Sequence, residues 1–373
     1  MVRELPGSQL ANNYEFCHIA SQADELSQFG KILLAIVSFI HYAWFISTRR
    51  PELVYIHVGG NASLYRKIPF IAFGRLSGRR VLAHFHAGDF VPYFNRQSGA
   101  GRRLILWGLN QSHRLLTCSH ELKRLLEHHL PEAQVDVLPN GVETKLFATK
   151  RRLRTEAQKH DPVRLLFAGA MGRLKGERDL VQAIERASRK LPNLRVMMLG
   201  HGSETVMELC KETGLWPRLD YFGPAPMNER VDFFKQCDLF VLPTYAEGMP
   251  VSVIEAMAAG LPVITTPVGG IPELITDGVE GWLVTPGDVD ALAEKIALLV
   301  NNEPMRLAMG RLAVLKAAQF DRHEVFALLD QVLSEMIGIT WVSEARPVAP
   351  VIQVAPEQVV KCQLVRAKTA GKE

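Results

Sequence analysis

Apolar runs of five to eight residues recur along the chain, each followed by a segment with helical spacing. That rhythm constrains the fold more than any other feature. In the first half the runs are YEFCHIA (14–20), LVYIHV (53–58), RVLAHFHA (80–87), RLLTCS (114–119) and VDVLPN (135–140). Helical patterns fill 24–47, 61–77, 100–112 and 119–129. The polar stretch GVETKLFATKRRLRTEAQKHDP (141–162) breaks the rhythm with linker composition. It restarts with VRLLFAG (163–169), LRVMMLG (194–200), LDYFG (219–223), DLFVLP (238–243), PVITTP (262–267) and the short, edge-like WLVTP (282–286). Near-continuous apolar strands joined by helices belong to parallel sheets covered on both faces. The expected architecture is therefore α/β: two Rossmann-like doubly wound domains, residues 1–140 and 163–319, facing each other across a cleft, with 141–162 as linker. Helical patterns at 288–301, 304–319 and 321–337 follow, the last (320–337) closing the second half. The Val-, Pro- and Ala-rich stretch 338–373 is expected to be a mobile tail.

The length of 373 residues suits about two domains. Five cysteines (Cys17, Cys118, Cys210, Cys237 and Cys362) are scattered without a Cys-x-x-Cys pair, which argues against a disulfide framework or a cysteine zinc site and for a reducing compartment. No signal-peptide pattern opens the chain. The net charge of +4 hides an asymmetry: residues 1–160 carry about 21 Lys and Arg against about 12 Asp and Glu, and residues 161–373 about 22 against about 27. A basic half implies an anionic surface. Its charges are not interleaved with aromatics, which favours lipid headgroups over nucleic acid. The apolar stretch ILLAIVSFIHYAWFIS (32–47) is shorter than the roughly 20 residues a spanning helix needs and contains Ser38 and His41, so it reads as a buried or interfacial helix.

The chemistry concentrates at strand ends. After DLFVLP comes TYAEGMPVSVIEAMAAG: a loop with Glu247, then Pro250 where a helix opens, then Gly260 where it stops. The amides around Gly248, Met249, Val251 and Ser252 then belong to a helix N-terminus, which binds phosphate through free N–H groups and its dipole. Glu247 beside it and Glu255 one turn in accept hydrogen bonds only, which suits sugar and ribose hydroxyls. Taken alone, the same pair reads as a turn residue and a solvated helix residue. AGAMGRLKGERDL (168–180) is a glycine-bearing strand-to-helix turn in which Lys175 reaches as a point charge; it is not a Walker A loop. LGHGSE with Gly202, and YFGPAP with Phe222, Gly223 and Pro224, are further strand-end turns, the latter with backbone groups suited to a flat base. In the first half HFHAGDF (84–90) places His84 and His86 on one face of a strand. No further ligands cluster nearby in sequence, so no metal site is expected there. His86 reads as a cleft-facing group or as a core histidine.

Together these residues resemble the retaining glycosyltransferases of family 4, which have the GT-B fold. The resemblance spans roughly 50–337 and is most specific over 237–288, with LPNGVE (138–143), KGERDL (175–180) and HFHAGDF as further matches. It implies a nucleotide-sugar donor held mainly by the C-terminal domain and a lipid-linked or saccharide acceptor on the N-terminal one. By resemblance Glu247 meets donor-sugar hydroxyls, Glu255 the ribose, and the amides of Gly248, Met249 and the neighbours of Pro250, Val251 included, the diphosphate. Lys175 neutralises the departing β-phosphate, His86 contacts the donor sugar, Phe222 to Pro224 lie near the base, and Gly88 and Asp89 fall on the acceptor side. No cofactor or metal is implied. The setting it suggests is bacterial surface-polysaccharide assembly, cytoplasmic and peripheral on the inner face of the cytoplasmic membrane.

Two departures stand out. Ala170 occupies the place of the family's arginine, for which Arg173 is the nearest substitute. The family's first strand and glycine-rich loop have no counterpart in MVRELPGSQLANNYEFCHIA, so the chain reads as entering at the second strand. A missing central strand leaves sheet edge exposed. The competing readings are a catalytically impaired nucleotide-sugar-binding protein and a sugar-nucleotide epimerase on the same fold. A dinucleotide dehydrogenase lacks its G-x-G-x-x-G with a following ribose acid.

Overall fold

The computed structural model describes residues 9–20, 27–60, 62–86, 88, 90–158, 161–172, 174–187, 191, 193–201, 204–338 and 349–355. Its strands are β1 (Tyr14–Ala20), β2 (Leu53–Val58), β3 (Arg80–Phe85), β4 (Arg114–Thr117), β5 (Val135–Val137), β6 (Val163–Ala168), β7 (Leu194–Leu199), β8 (Leu219–Gly223), β9 (Leu239–Leu242), β10 (Val263–Thr265), β11 (Gly281–Leu283) and β12 (Ala349–Ala355). The chain divides into two units: Met1–Pro139 with Val325–Glu373, and Asn140–Glu324.

In the second unit all six strands are parallel, in the order β11-β10-β9-β6-β7-β8. Counting from β6, that is the doubly wound order 3-2-1-4-5-6 read across the sheet, with the direction of winding reversing between β6 and β9. β9 is apolar and buried throughout, and β6 is so at every position but Arg164, as their composition requires. The described part of the stretch read as a linker, 141–158 and 161–162, is packed onto this unit. Arg151 Nε donates to the Ala259 carbonyl at 2.7 Å, and Arg154 reaches Asp238 Oδ2 at 3.0 Å. Charged composition here serves ion pairing and carbonyl capping. Val142 N donates to Phe320 O at 2.9 Å and Arg322 N to Val142 O at 2.8 Å, so the outgoing and returning segments run side by side.

The first unit holds a parallel sheet in the order β1-β12-β2-β3-β4-β5. Alternation along its strands separates two cores. Val54, Ile56, Val81, Ala83 and Phe85 face one, with Tyr42, Phe45 and Ile46 of the helix Gln28–Arg49. Leu53, Tyr55 and Leu82 face the other, with Phe326, Leu329 and Leu333 of the helix Arg322–Ile337. That last helix, expected to close the second half, contributes its apolar stripe here.

β12 corrects the expectation of a mobile tail for residues 349–355; residues 339–348 and 356–373 lie outside the described residues. It pairs in parallel with β1 from Tyr14↔Ala349 to Ala20↔Ala355, and with β2 from Leu53↔Val351 to Ile56↔Val354. Without it the facing edges of β1 and β2 would each present an unpaired backbone row. The β-branched run APVIQVA has the propensity to fill such a slot. The central position that the sequence left without a strand is thus supplied from the far end of the chain.

Candidate functional site

Around the β6/β9 switch point of the second unit, strand ends and following loops enclose a cleft of about 470 Å³. Its walls include Gly169 and Ala170 after β6, Gly200 and His201 after β7, Pro224 and Ala225 after β8, and Glu247 with Pro250–Ser252 after β9. Lys175 and Arg230 complete it. Ligands of doubly wound sheets bind at this position because adjacent loops part where the winding reverses.

The β9 loop is held by backbone contacts that only particular residues permit. Thr244 Oγ1 and Tyr245 N both donate to Leu174 O at 2.8 Å, tying the loop to the Lys175 turn. Gly270 N donates to Gly248 O at 2.6 Å. Gly269 has φ +57°, and a Cβ there would lie 1.8 Å from the Glu247 carbonyl oxygen. The two glycines that follow β10 thus let the backbone approach the Glu247 loop closely. Asn140 Nδ2 donates to Met249 O at 2.7 Å. The helix Val251–Ala258 then begins at Pro250 with no side-chain cap among the described residues, and its first residues line the cleft. Gly260, with φ +71°, ends it.

Lys175 Nζ meets Glu247 Oε1 at 2.5 Å, with Glu247 only 9% exposed. Beneath the opposite wall, Glu255 is 2% exposed and accepts on Oε2 from both Nε, at 3.0 Å, and the terminal nitrogen of Arg230. Burial raises the Glu255 carboxyl above the ordinary range, and the guanidinium only partly offsets this. The cleft thus carries two cations, each paired with a buried carboxylate, beside an open helix start. Such a surface attracts anions, while Glu247, which lines it, can accept hydrogen bonds. Tyr245, whose hydroxyl donates to Asp179 Oδ2 at 2.7 Å, is pushed up to about 12 mainly by that bond.

The expected residues distribute as follows. Lys175, Glu247, Pro250, Val251 and Pro224 come together in the cleft, while Gly248 and Met249 are buried in the loop that shapes it. Glu255 does not line the cleft; it lies behind Arg230. Gly223 closes β8, and its carbonyl accepts from Gly200 N at 2.8 Å. Phe222 is placed by its backbone pairing with Met198. Arg173, Gly202 and Asp89 lie outside the described residues. Arg230 was not singled out in the sequence. Its only signal is an arginine one turn into the helix Met227–Gln236 that follows YFGPAP.

In the first unit, Gly88 lies just past the end of β3 and His86 is half-buried, its Nε2 2.8 Å from His57 Nδ1. His84 packs against His86 with ring centroids 3.9 Å apart. The sequence reading found no third histidine near this pair; the register His57↔His84 between β2 and β3 supplies one. Burial, followed by repulsion between the rings, holds His57 and His84 well below the ordinary imidazole value, and burial pushes His86 down to about 4.

Two family models match in tandem: Glycosyltransferase Family 4 over residues 21–146 and Glycosyl transferases group 1 over 149–314. Curated relatives include D-inositol 3-phosphate glycosyltransferases. That of Mycolicibacterium smegmatis is 30% identical over 210 residues, covering 54% of this chain and 48% of the relative. That of an Arthrobacter species is 33% identical over 210 residues, covering 54% and 50%. The chain spans about half the length of the curated relatives it matches. Among solved structures, Anabaena HepE in complex with UDP superposes with a TM-score of 0.67 at 19% identity, covering 83% of this chain and 84% of that one. Sucrose-phosphate synthase from Thermosynechococcus elongatus gives 0.67 at 18%, covering 84% and 79%. With two Rossmann-like units of this topology and both models in tandem, the chain belongs to the family-4 type of glycosyltransferases of GT-B fold.

Proposed function

We propose that this protein transfers a sugar, with retention of configuration, from a nucleoside-diphosphate sugar to a lipid-linked or saccharide acceptor, in bacterial surface-polysaccharide assembly. One observation carries the donor half of this reading: Lys175, Arg230, Glu247 and an uncapped helix start converge on one cleft at the switch point of the second sheet. The diphosphate sits over the helix start. Lys175 Nζ exchanges Glu247 for the β-phosphate, and the released carboxylate accepts from sugar hydroxyls. Arg230, held by Glu255, faces the remaining phosphate or ribose oxygens. As the bond between the anomeric carbon and the bridging phosphate oxygen breaks, the electron pair leaves on the diphosphate, the acceptor oxygen bonds that carbon, and its proton passes to the departing diphosphate. Fixed cations aimed at that charge lower the barrier without reorganising. No metal is assigned to this step; lysine, arginine and the helix dipole supply the positive field.

The acceptor half rests on the helix Gln28–Arg49. Its stretch Phe29–Arg49 is long and apolar enough to cross a membrane by length and composition. However, Tyr42, Phe45 and Ile46 pack into the core, and the Tyr42 hydroxyl donates to Phe70 O at 2.7 Å. The other side is apolar and open: Phe29, Ile32, Ile36, Ile40 and Trp44 recur at helical spacing with 52–76% exposure. A helix with one face in protein and one apolar face in solvent lies in a lipid interface. Residues 1–139 carry 15 Lys and Arg against 10 Asp and Glu, which favours anionic headgroups. This reading makes the protein peripheral on the inner face of the cytoplasmic membrane.

A panel of nucleotide sugars, UDP-glucose first because HepE is a UDP complex, tests the donor half by thermal shift and by release of nucleoside diphosphate. The expected result is a rise in melting temperature with at least one donor, and nucleotide release when acceptor is present. A panel in which no donor shifts the melting temperature removes the reading. Vesicles of phosphatidylglycerol test the membrane half. The wild type should co-sediment with them and the double variant Ile36→Asp, Ile40→Asp should not; equal sedimentation of the two would remove the interfacial role.

A further inference from the structure

We propose that the carboxyl ends of β2 and β3 hold one divalent transition-metal ion of the zinc class, ligated by His57, His84 and His86. The proposal does not depend on the transferase reading, because it concerns the first unit alone.

The histidines sit where the sheet stops burying hydrocarbon. On one face, β2 runs Leu53, Tyr55, His57 and β3 runs Leu82, His84, with His86 just past its end; Leu53, Tyr55 and Leu82 belong to the apolar core of that face. Alternation puts all three imidazoles on the same side, and the register His57↔His84 sets them abreast. Each offers a ring nitrogen, and the three nitrogens lie within 4.8 Å of one another. Tetrahedral zinc with Zn–N bonds of about 2.0–2.1 Å needs its ligand nitrogens about 3.3 Å apart. His57 Nδ1 and His86 Nε2 are already 2.8 Å apart and share one proton, so an ion that replaces this proton needs only a small opening of the pair.

Two further observations point to a ligand. His84 is fully buried, and among the described residues its Nε2 makes no well-formed hydrogen bond, its contact with the Leu138 backbone aside. A buried ring nitrogen without a partner costs free energy that a coordinate bond would recover. The other nitrogen of His84, Nδ1, lies 2.6 Å from the Tyr55 hydroxyl. When Nδ1–H donates to that oxygen, the Nε2 lone pair is left for the metal, the outer-shell arrangement that fixes metal-binding histidines. A set made only of neutral imidazoles selects zinc, cobalt or nickel over magnesium or calcium. Three protein ligands leave one of zinc's four positions open. Each imidazole has two nitrogens, so ligation by His86 through one leaves the other for a further contact.

The test uses the full chain without a polyhistidine tag, stripped with EDTA and titrated with Co²⁺. About one cobalt per chain should be retained through gel filtration, with intense visible bands of a four-coordinate ion, and zinc should displace it. His57→Gln and His84→Gln should each abolish retention, while the exposed control His128→Gln should keep it. The proposal is overturned by a wild type that retains no cobalt, by the weak bands of a six-coordinate ion, or by full retention in both variants. Should a variant fail to fold by circular dichroism, X-ray absorption of the zinc-loaded wild type decides instead: three imidazoles are expected, and fewer, or any sulfur, overturns the site.

Discussion

Unit 2 builds its sheet from six strands that occur together in the chain, whereas unit 1 builds five locally and borrows the sixth from beyond unit 2. The borrowed strand is not an edge decoration. β12 occupies an interior position and pairs on both sides. Unit 2 is therefore specified by local alternation of strand and helix. Unit 1 also depends on a slot between β1 and β2 that β12 fills. Closing the long loop that joins β12 to its neighbours costs entropy that grows only slowly with length, so distance along the chain is a weak obstacle.

The largest effect should come from removing the chain after Gly338. Amides of β1 and β2 should lose protection from hydrogen exchange while those of β6 and β9 keep theirs. Equal protection in both units would break the contrast. Next, Lys175→Ala should lower turnover by about 10²–10³-fold, the loss expected for one donor to a developing oxyanion, and should weaken donor binding less. Equal losses would make Lys175 a binding residue only. Arg230→Ala leaves Glu255 buried without its cation and should cost about 3 kcal/mol of unit 2 stability in denaturant titration. The pH dependence follows from the raised carboxyl: the folded state binds that proton more tightly than the unfolded chain, so stability grows as pH falls through the carboxylate range. Without the guanidinium this slope should steepen, and the variant's deficit should shrink in acid; a deficit constant with pH would show that the pair is not the cause. The smallest effect should be Tyr245→Phe, which removes one exposed bond to Asp179 for about 1 kcal/mol and leaves unit 1 unchanged.

Much of the fold was legible because buried parallel strands cannot disguise themselves. YEFCHIA, LVYIHV and LDYFG form strands over their expected residues, 14–20, 53–58 and 219–223. VDVLPN overran, since the strand ends at Val137, just before the segment that contains Pro139. The helix break at Gly260 was readable because a positive φ there suits glycine. What stayed hidden depends on neighbours distant in sequence. β12 is placed by its pairing with β1 and β2, which lie far from it in sequence. His57 becomes a neighbour of His84 and His86 only through register. Arg230 reaches the cleft because a helix that follows β8 lies against Glu255, a contact no local spacing encodes. Lys175 and Glu247 were legible for the opposite reason: each lies in a strand-end turn at the switch point, where topology alone sets position.

The place of β12 in the sheet also fixes an order of events. On a ribosome the amino-terminal half emerges first and ordinarily folds first. Here the first unit cannot complete its sheet until its last strand has been translated, by which time every residue of the second unit has been made. The nascent protein can therefore finish the cleft of the second unit before the sheet of the first is whole. During that interval the borders of β1 and β2 that β12 will cover stand open to any passing strand.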